Sequence, residues 1–433
     1  MNTSCCNSNT GKIIEALYSG YTPENENNFI NPNGSDSLII KSYTLINNNV
    51  EIVIITWGAT IVSIKYPDKY GRVVDVVLGF DNLDDYMNSE ANLFIGCVLG
   101  RCANRIKDGI LRIKGRDYQL SLNDENDHLH GGIGGFGRRN WDSHINENNL
   151  ILTYLSPDGE DGYPGTVLTI LTFKLTAENT LDIKMQATTT RPTLINLSYG
   201  LLFNLAGHNA GEDELKMHSV SLNCDRCIFT TNEDGIPINK SRRIGGTLLD
   251  FRVQRLLGNE KSCMLFEDNF EQNLCVIRDC EPALTFVCRA YHGETGRVLE
   301  VFSNQPGLQL DMCGRFPSEN DAEDVAYGTL DAQKFDELAS YSSFLSANGE
   351  EYIKGEEDED SYENTNFLFP KSRMNFIPGK KGAKYMKFCA FGVYPQNYHN
   401  SAIKHIPSAV VRPGQVYHHH LVYKFGVQLE NSL

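Results

Sequence analysis

The sequence lacks positive charge, long apolar segments and a secretion signal, and each absence excludes a class of function. It has 39 Lys and Arg against 55 Asp and Glu, a formal net charge of −16, so we expect no nucleic-acid or anionic-membrane surface. No apolar run reaches the ~20 residues of a membrane helix. The first residues, MNTSCCNSNTGK, carry neither a basic nor an apolar signal region. Twelve cysteines in such a chain indicate reduced thiols and a cytoplasmic location.

The cysteine spacing does not favour a metal site. Cys224 and Cys227 form one CxxC, and no second pair follows at zinc-finger spacing. We interpret them as two half-buried cysteines in a loop. We therefore predict no metal and no cofactor.

What the sequence does contain is β-strand texture. Hydrophobic residues make up 41% and aromatic residues 10%, enough for a packed core. Turn signals such as Pro164-Gly165 separate segments rich in Val, Ile, Leu, Thr and Tyr. The segments are Glu51–Trp57, Val73–Leu78, Val167–Leu175, Leu299–Phe302 and Ser408–Phe425. The pattern predicts an all-β fold, a large antiparallel β-sandwich, with short helices only at Leu83–Met87 and near Ala332–Leu345.

Composition also predicts how the chain is organised. Residues 1–37 are rich in Asn, Ser, Gly and Pro and predict a flexible leader. Residues 38–427 predict one β-sandwich domain, interrupted by an acidic insertion at about 315–375, and 428–433 form a tail. Residues Glu350 to Glu363 include eight Asp or Glu and one Lys, so the insertion is expected to be solvated. A docking segment for a basic protein partner is the alternative.

Several short runs carry a family resemblance. They are GRCANRI (Gly100–Ile106), LHGG (Leu129–Gly132), SPDGEDGYPG (Ser156–Gly165), YGLLFNLAG (Tyr199–Gly207), QPGLQ (Gln305–Gln309) and FGVYPQNY (Phe391–Tyr398). These runs resemble motifs of the aldose 1-epimerase (galactose mutarotase) family, and the resemblance covers roughly residues 38–314 and 384–427. It implies a large antiparallel sandwich that binds a hexose such as galactose or glucose.

The family's reaction needs a base, and that base is missing. Mutarotation opens a pyranose ring after a base takes the proton of the C1 hydroxyl. In the family a glutamate does this from a run like FCLETQNY. The resemblance places Tyr394 at that position, and no Asp or Glu occurs between Glu363 and Glu430.

The acid that protonates the ring oxygen is missing as well. The family's histidine lies in a run like NHSYFNLAG, and the resemblance places Gly200 at its position. No histidine occurs between His144 and His208. The resemblance therefore implies a chain without either catalytic group.

The sugar-binding positions are better preserved. By resemblance they are Asn104, Arg105, His130, Glu271 and Gln309. At Glu271, in the run FEQNL, the family has Asp, so the carboxylate is displaced by about one carbon–carbon bond, ~1.5 Å. A buried structural role remains the alternative for Arg105.

Two histidine groups raise the question of a metal. His128 and His130 face the same way if their segment is extended, but no third ligand is evident. In His418–His420 the middle ring faces opposite to the other two, so we interpret all three as sheet-surface residues.

Three functions stay open. The first is a hexose-binding homologue, catalytically weak or inactive, in hexose metabolism. The second is an active aldose 1-epimerase with relocated groups, for which the candidates are Glu271, Asp311, Tyr394, His128 and His130. The third is a protein-interaction scaffold that uses the acidic insertion.

Overall fold

The computed structural model describes residues 11–18, 39–87, 93–230, 237–259, 262, 266, 271–278, 283–318, 375–398 and 409–429. The predicted helix near Ala332–Leu345 and all but the two ends of the predicted acidic insertion lie outside these residues.

Strands dominate the described residues. In chain order they are β1 (Lys12–Leu17), β2 (Lys41–Ile46), β3 (Glu51–Ile55), β4 (Ile61–Pro67), β5 (Val73–Asp75), β6 (Val98–Leu99), β7 (Arg105–Ile106), β8 (Ile110–Ile113), β9 (Arg116–Gln119), β10 (His128–Leu129), β11 (Asp142–Asn146), β12 (Asn149–Ser156), β13 (Val167–Leu175), β14 (Thr180–Thr189), β15 (Thr193–Leu194), β16 (Ser198–Tyr199), β17 (Leu202–Phe203), β18 (His218–Leu222), β19 (Cys224–Thr230), β20 (Pro237–Arg243), β21 (Arg255–Leu256), β22 (Glu271–Val276), β23 (Thr285–His292), β24 (Arg297–Ser303), β25 (Gly307–Asp311), β26 (Ile377–Pro378), β27 (Lys384–Tyr385), β28 (Phe391–Gln396), β29 (Val410–Val411) and β30 (Tyr417–Val427). The helices are α1 (Leu83–Met87) and α2 (Gly211–Lys216). Neither helix of this part of the chain is long and apolar enough to cross a bilayer.

Two large antiparallel sheets form the body of the fold. The nine-stranded sheet has the order β11-β12-β13-β14-β30-β24-β23-β18-β21, and the six-stranded sheet has the order β17-β28-β25-β22-β19-β20. A five-stranded sheet, β1 to β5 in sequence order, lies beside them. The predicted all-β antiparallel sandwich is confirmed, as are the helix at Leu83–Met87 and the strand at Val167–Leu175.

Alternating side chains connect the two large sheets through one core. In β13 every second residue, from Val167 to Leu175, is buried, as expected for a strand with one face on the core. From the six-stranded sheet, Leu274, Leu308, Leu310, Phe391 and Val393 join the same buried cluster. The residues between them in sequence must point to the opposite face of that sheet. This face, which we call the site face, is where the polar residues lie.

The predicted flexible leader contains a strand that the composition did not indicate. Residues 12–17 form β1, which pairs antiparallel with β2 from Lys12↔Ile46 to Leu17↔Lys41. Most of its side chains are exposed. The strand is therefore held by pairing at a sheet edge, and that interaction leaves little hydrophobic pattern in a sequence.

Two interpretations of cysteine and histidine need correction. Cys224 and Cys227 lie in strand β19, not in a loop, and both are fully buried. His418 is exposed and His420 is partly exposed, as predicted, but His419 is buried. Its ring contacts Ser303 Oγ at 3.1 Å and the Leu197 carbonyl oxygen at 3.0 Å, so it belongs to the polar interior.

Arg101 anchors the segment that leads to the site. It is 2% exposed, and its guanidinium donates to Ser156 Oγ at 2.9 Å and to the carbonyl oxygens of Pro157 and Gly165 at 2.7 and 2.8 Å. The run GRCANRI is thereby fixed to the loop SPDGEDGYPG. This contact gives both runs a structural reason to occur together.

We expect Arg101→Met to lower the free energy of unfolding by about 3 kcal/mol, because it leaves several buried acceptors without a donor. Urea denaturation followed by tryptophan fluorescence measures this. Arg112→Met is the matched control, since Arg112 pairs with Asp117 on the surface, and its midpoint of unfolding should not change. Equal midpoints for both variants would contradict the anchoring role.

Candidate functional site

The site face is organised by the register of β22, β25 and β28. Gln309 lies opposite Asn273 on one side and opposite Tyr394 on the other. Two residues along the strands, Asp311 lies opposite Gly392 and Glu271 in the same way. Residues directly opposite in antiparallel strands project from the same face. The register therefore places the predicted Gln309 and Tyr394 side by side.

Three side-chain amides form a cluster on this face. Asn104 Nδ2 donates to Gln309 Oε1 at 3.1 Å and lies 3.4 Å from Asn273 Oδ1. We call these three side chains the amide cluster. Asn104 adopts a φ of 72°, a left-handed conformation that asparagine tolerates well, and its Oδ1 accepts the Arg105 N–H at 3.0 Å. Asn273 was not among the predicted residues, although its alternation with Leu274 indicated a polar face.

Two members of the amide cluster have side-chain N–H donors that the hydrogen bonds within the cluster do not use. Asn273 and Gln309 are 6% and 5% exposed. Within the described part of the chain, their side-chain hydrogen bonds run through their oxygen atoms. An amide nitrogen carries two N–H donors, and those of Asn273 and Gln309 therefore stay available for an oxygen-rich ligand.

His130 adds a donor of defined tautomer. Its Nδ1 accepts the backbone N–H of Asn104 at 3.0 Å, and an N–H can only donate, so in the neutral ring the proton is on Nε2. His130 has a φ of 51° and its ring meets Phe94 edge-on, with centroids 4.9 Å apart. The predicted binding histidine is thus fixed in orientation and lies next to Asn104.

Arg105 lies in an ion-pair network. Its Nε donates to Asp124 Oδ2 at 2.6 Å, and Arg105 is buried. Arg315 Nη1 lies 4.0 Å from the same carboxylate oxygen. Neither Asp124 nor Arg315 was predicted, and the approach of Arg315 to Asp124 joins distant parts of the sequence. A guanidinium held in this way is oriented before any ligand arrives.

The other predicted carboxylate, Glu271, is placed only by its backbone. It begins β22 opposite Asp311, which puts it at the site face. Its side chain lies outside what the structure describes, so its role stays a prediction.

His128 does not belong to the site. It is fully buried, with Nδ1 2.6 Å from the Ser121 carbonyl oxygen and Nε2 2.7 Å from the Tyr163 hydroxyl. The extended geometry considered for His128 and His130 is wrong, because β10 ends at Leu129 and His130 turns into the left-handed region. No group of three or more potential ligands that could hold a metal occurs among the described residues.

Gly200, which the resemblance places at the position of the acid, is enclosed by backbone. Gly200 donates its N–H to the Cys97 carbonyl at 2.9 Å and accepts the Gly96 N–H at 2.7 Å. A Cβ atom on Gly200 would overlap the Phe94 carbonyl oxygen. A histidine side chain at this position would therefore clash with the backbone of Phe94.

The histidine nearest to Gly200 in sequence is hydrogen-bonded to a tyrosine. His208 Nδ1 lies 3.0 Å from the Tyr385 hydroxyl. Burial, with Lys380 close by, lowers the pKa of His208 to about 4. His208 is therefore neutral near pH 7 and carries no proton to donate as an imidazolium.

Tyr394, which the resemblance places at the position of the base, contacts a carboxyl group. Its hydroxyl donates to Asp311 Oδ2 at 3.0 Å, and Asp311 Oδ1 accepts the Cys313 N–H at 2.8 Å. Burial raises the pKa of Asp311. The site face therefore has a carboxyl group after all, on the strand next to the expected one.

Comparison with known proteins agrees with this architecture. A family model described as aldose 1-epimerase matches residues 41–424. The galactose mutarotase of Sus scrofa is 30% identical over 399 residues, which cover 92% of this chain and 96% of the relative. The galactose mutarotase of Homo sapiens is 30% identical over 390 residues, covering 90% and 94%.

Solved structures show the same fold. An aldose epimerase homologue from C. elegans superposes with a TM-score of 0.67 at 23% identity, covering 88% of this chain and 97% of that one. Galactose 1-epimerase from Lactobacillus acidophilus NCFM gives a TM-score of 0.64 at 18% identity, covering 96% and 99%. The protein thus has the galactose mutarotase-like β-sandwich fold. Since the family model matches residues 41–424 and the relative from Sus scrofa covers 92% of this chain at 30% identity, the chain belongs to the aldose 1-epimerase family.

We expect Gly200→Ala to lower the free energy of unfolding by about 1–3 kcal/mol, because a new side-chain atom must displace packed backbone. Gly293→Ala is the matched control, since nothing lies within 4 Å of the added Cβ there, and it should be neutral or slightly stabilising. Chemical denaturation of both variants measures the difference. A Gly200→Ala variant as stable as the control would show that the position is open.

Proposed function

We propose that the protein is a carbohydrate-binding member of its family in hexose metabolism. It binds an aldohexose such as galactose or glucose over the site face and interconverts the anomers at most slowly. The observation that carries this proposal is the amide cluster with its available donors. Sugars present a ring of hydroxyl oxygens, which side-chain amides, a fixed imidazole N–H and a guanidinium suit as hydrogen-bond donors.

The predicted sugar-binding positions keep suitable side chains, whereas the predicted catalytic positions do not. Asn104, Arg105, His130 and Gln309 lie around one face, with partners that hold each side chain in place. A ligand held by several hydrogen bonds tolerates the loss of one contact, at about 0.5–1.5 kcal/mol each.

Catalysis depends on fewer groups. A positioned acid or base contributes about 10²–10⁴ in rate, so losing both as independent groups removes roughly 5–11 kcal/mol of barrier lowering. Gly200 offers no group, and Tyr394 is a phenol whose ordinary pKa of ~10 makes it a poor base by itself. These substitutions support binding with slow turnover.

The substrate and the location are inferred by analogy. Proteins named galactose mutarotase match this chain over at least 90% of its length, which supports a hexose as the ligand. The eight described cysteines are free thiols, and this supports a cytoplasmic location.

We expect D-galactose or D-glucose to bind saturably, and Gln309→Ala to weaken binding about tenfold, because it removes a donor to the sugar and the shorter of the two acceptor contacts of Asn104 Nδ2. Saturation-transfer NMR with each sugar and thermal shifts measure this. Gln186→Ala is the matched control, since Gln186 is exposed on β14, and its affinity should equal that of the unmodified protein. Absence of saturable binding of either sugar to the unmodified protein would overturn the proposal.

A further inference from the structure

The contact between Tyr394 and Asp311 is built by three features of the sheet. Gln309 and Tyr394 share one row of the register, and Asp311 and Gly392 share the next. Tyr394 crosses from its own row to Asp311 because Gly392 has no side chain. A Cβ on Gly392 would overlap the hydroxyl and the ring of Tyr394. The glycine two residues before the tyrosine therefore makes room for the pair.

Both oxygens of the carboxyl group are fixed. Oδ1 accepts the Cys313 N–H at 2.8 Å and Oδ2 accepts the Tyr394 hydroxyl at 3.0 Å. The one proton of the phenol points to Asp311, so toward any other group the phenol oxygen can only act as an acceptor. A sugar hydroxyl that approaches this oxygen must donate.

The surroundings of Asp311 make it a better base than a solvated aspartate. Burial raises its pKa. Among the described side chains, the titratable groups that face it are the Tyr394 phenol on β28 and the Cys313 thiol, whose pKa burial also raises. On β22 the register places the backbone of Glu271 opposite Asp311. The described neighbours are thus neutral groups near pH 7. A base gains efficiency as its pKa approaches the working pH.

We propose that Tyr394 and Asp311 together replace the missing base by relaying one proton from the sugar. This rests on the proposed function, since the amide cluster must hold the hexose next to Tyr394. The phenol oxygen takes the proton of the C1 hydroxyl while its own proton passes to Asp311 Oδ2. Tyr394 touches the sugar, and Asp311 accepts the proton through it.

Atoms and electrons balance over the step. The O1–H bond breaks, its electron pair forms the C1=O1 double bond, and the C1–O5 bond breaks with its pair passing to O5. Water from solvent supplies the proton that O5 gains, and the resulting hydroxide takes up the proton that Asp311 has accepted. Rotation about C1–C2 and the reverse sequence close the ring on the other face.

The test is the rate at which freshly dissolved α-D-galactose and α-D-glucose equilibrate, followed by NMR with the full chain. We expect a rate above that of buffer. The protein-dependent part should fall by about 100-fold in both Asp311→Asn and Tyr394→Phe, while saturation transfer still reports bound sugar. Asp182→Asn is the matched control, because Asp182 pairs with His420 away from the site face, and it should keep the full rate.

A pH profile separates proton relay from simple support of the fold. Asp311 can accept a proton only when it is ionised, so the protein-dependent rate should decline as the pH falls through its raised pKa. Tyr394→Phe keeps the ring, so it remains informative if Asp311→Asn fails to fold. Binding without any acceleration would overturn the relay and leave the proposed function in place. Acceleration that survives both substitutions would also overturn the relay, and absence of binding would overturn both proposals.

Discussion

The register between β22, β25 and β28 is the constraint on which the site depends. It places Asn273, Gln309 and Tyr394 in one row. The residues next to them in sequence, such as Leu274, Leu308 and Val393, point to the opposite face and enter the core. A slip of one residue would exchange the two faces, turning Leu308 to the site face and Gln309 into the hydrophobic core. The hydrophobic core therefore determines the geometry of the site as well as the stability, because the strand pairing that buries the leucines also directs the side-chain amides to the site face. A site placed on strands in this way has little freedom to lose its geometry.

Sequence patterns predicted the features that depend on local alternation or on family motifs. The β-sandwich, the helix α1 and the strand β13 follow from periodicity. The resemblance also named Asn104, His130 and Gln309, and Asn104 is hydrogen-bonded to the other two, while their role in sugar binding stays a prediction. Contacts between distant residues were not predictable. Tyr394 meets Asp311 across 83 positions, and Arg101 reaches its loop across more than 50. Their partners follow from the folded topology, which no single run of residues encodes.

Gly200, at the position where the resemblance expects the acid, illustrates why a residue must be judged by its surroundings. Gly200 could have been a simple deletion of a side chain that leaves a space. Instead, its N–H and carbonyl are hydrogen-bonded to the adjacent residues Cys97 and Gly96 of one neighbouring segment, and the Phe94 carbonyl lies where a Cβ would be. Phe94 itself has a φ of 61° and supports the His130 ring. The backbone that closes the acid position thus also orients a group on the site face, so the two features are coupled through one residue.

Tyr394, at the position where the resemblance expects the base, is a different case, because chemistry can survive a change of residue when the proton has an acceptor. A lone phenol with an ordinary pKa of ~10 is ionised in only about one molecule in a thousand at pH 7, which makes it a poor acceptor. With Asp311 hydrogen-bonded to its hydroxyl, no phenolate has to form, since the phenol passes on one proton as it takes another. The basicity that matters is then that of the buried carboxyl, which lies one strand away from the family position. Whether a tyrosine at this position ends the chemistry or preserves a slow form of it is thus decided by its neighbour.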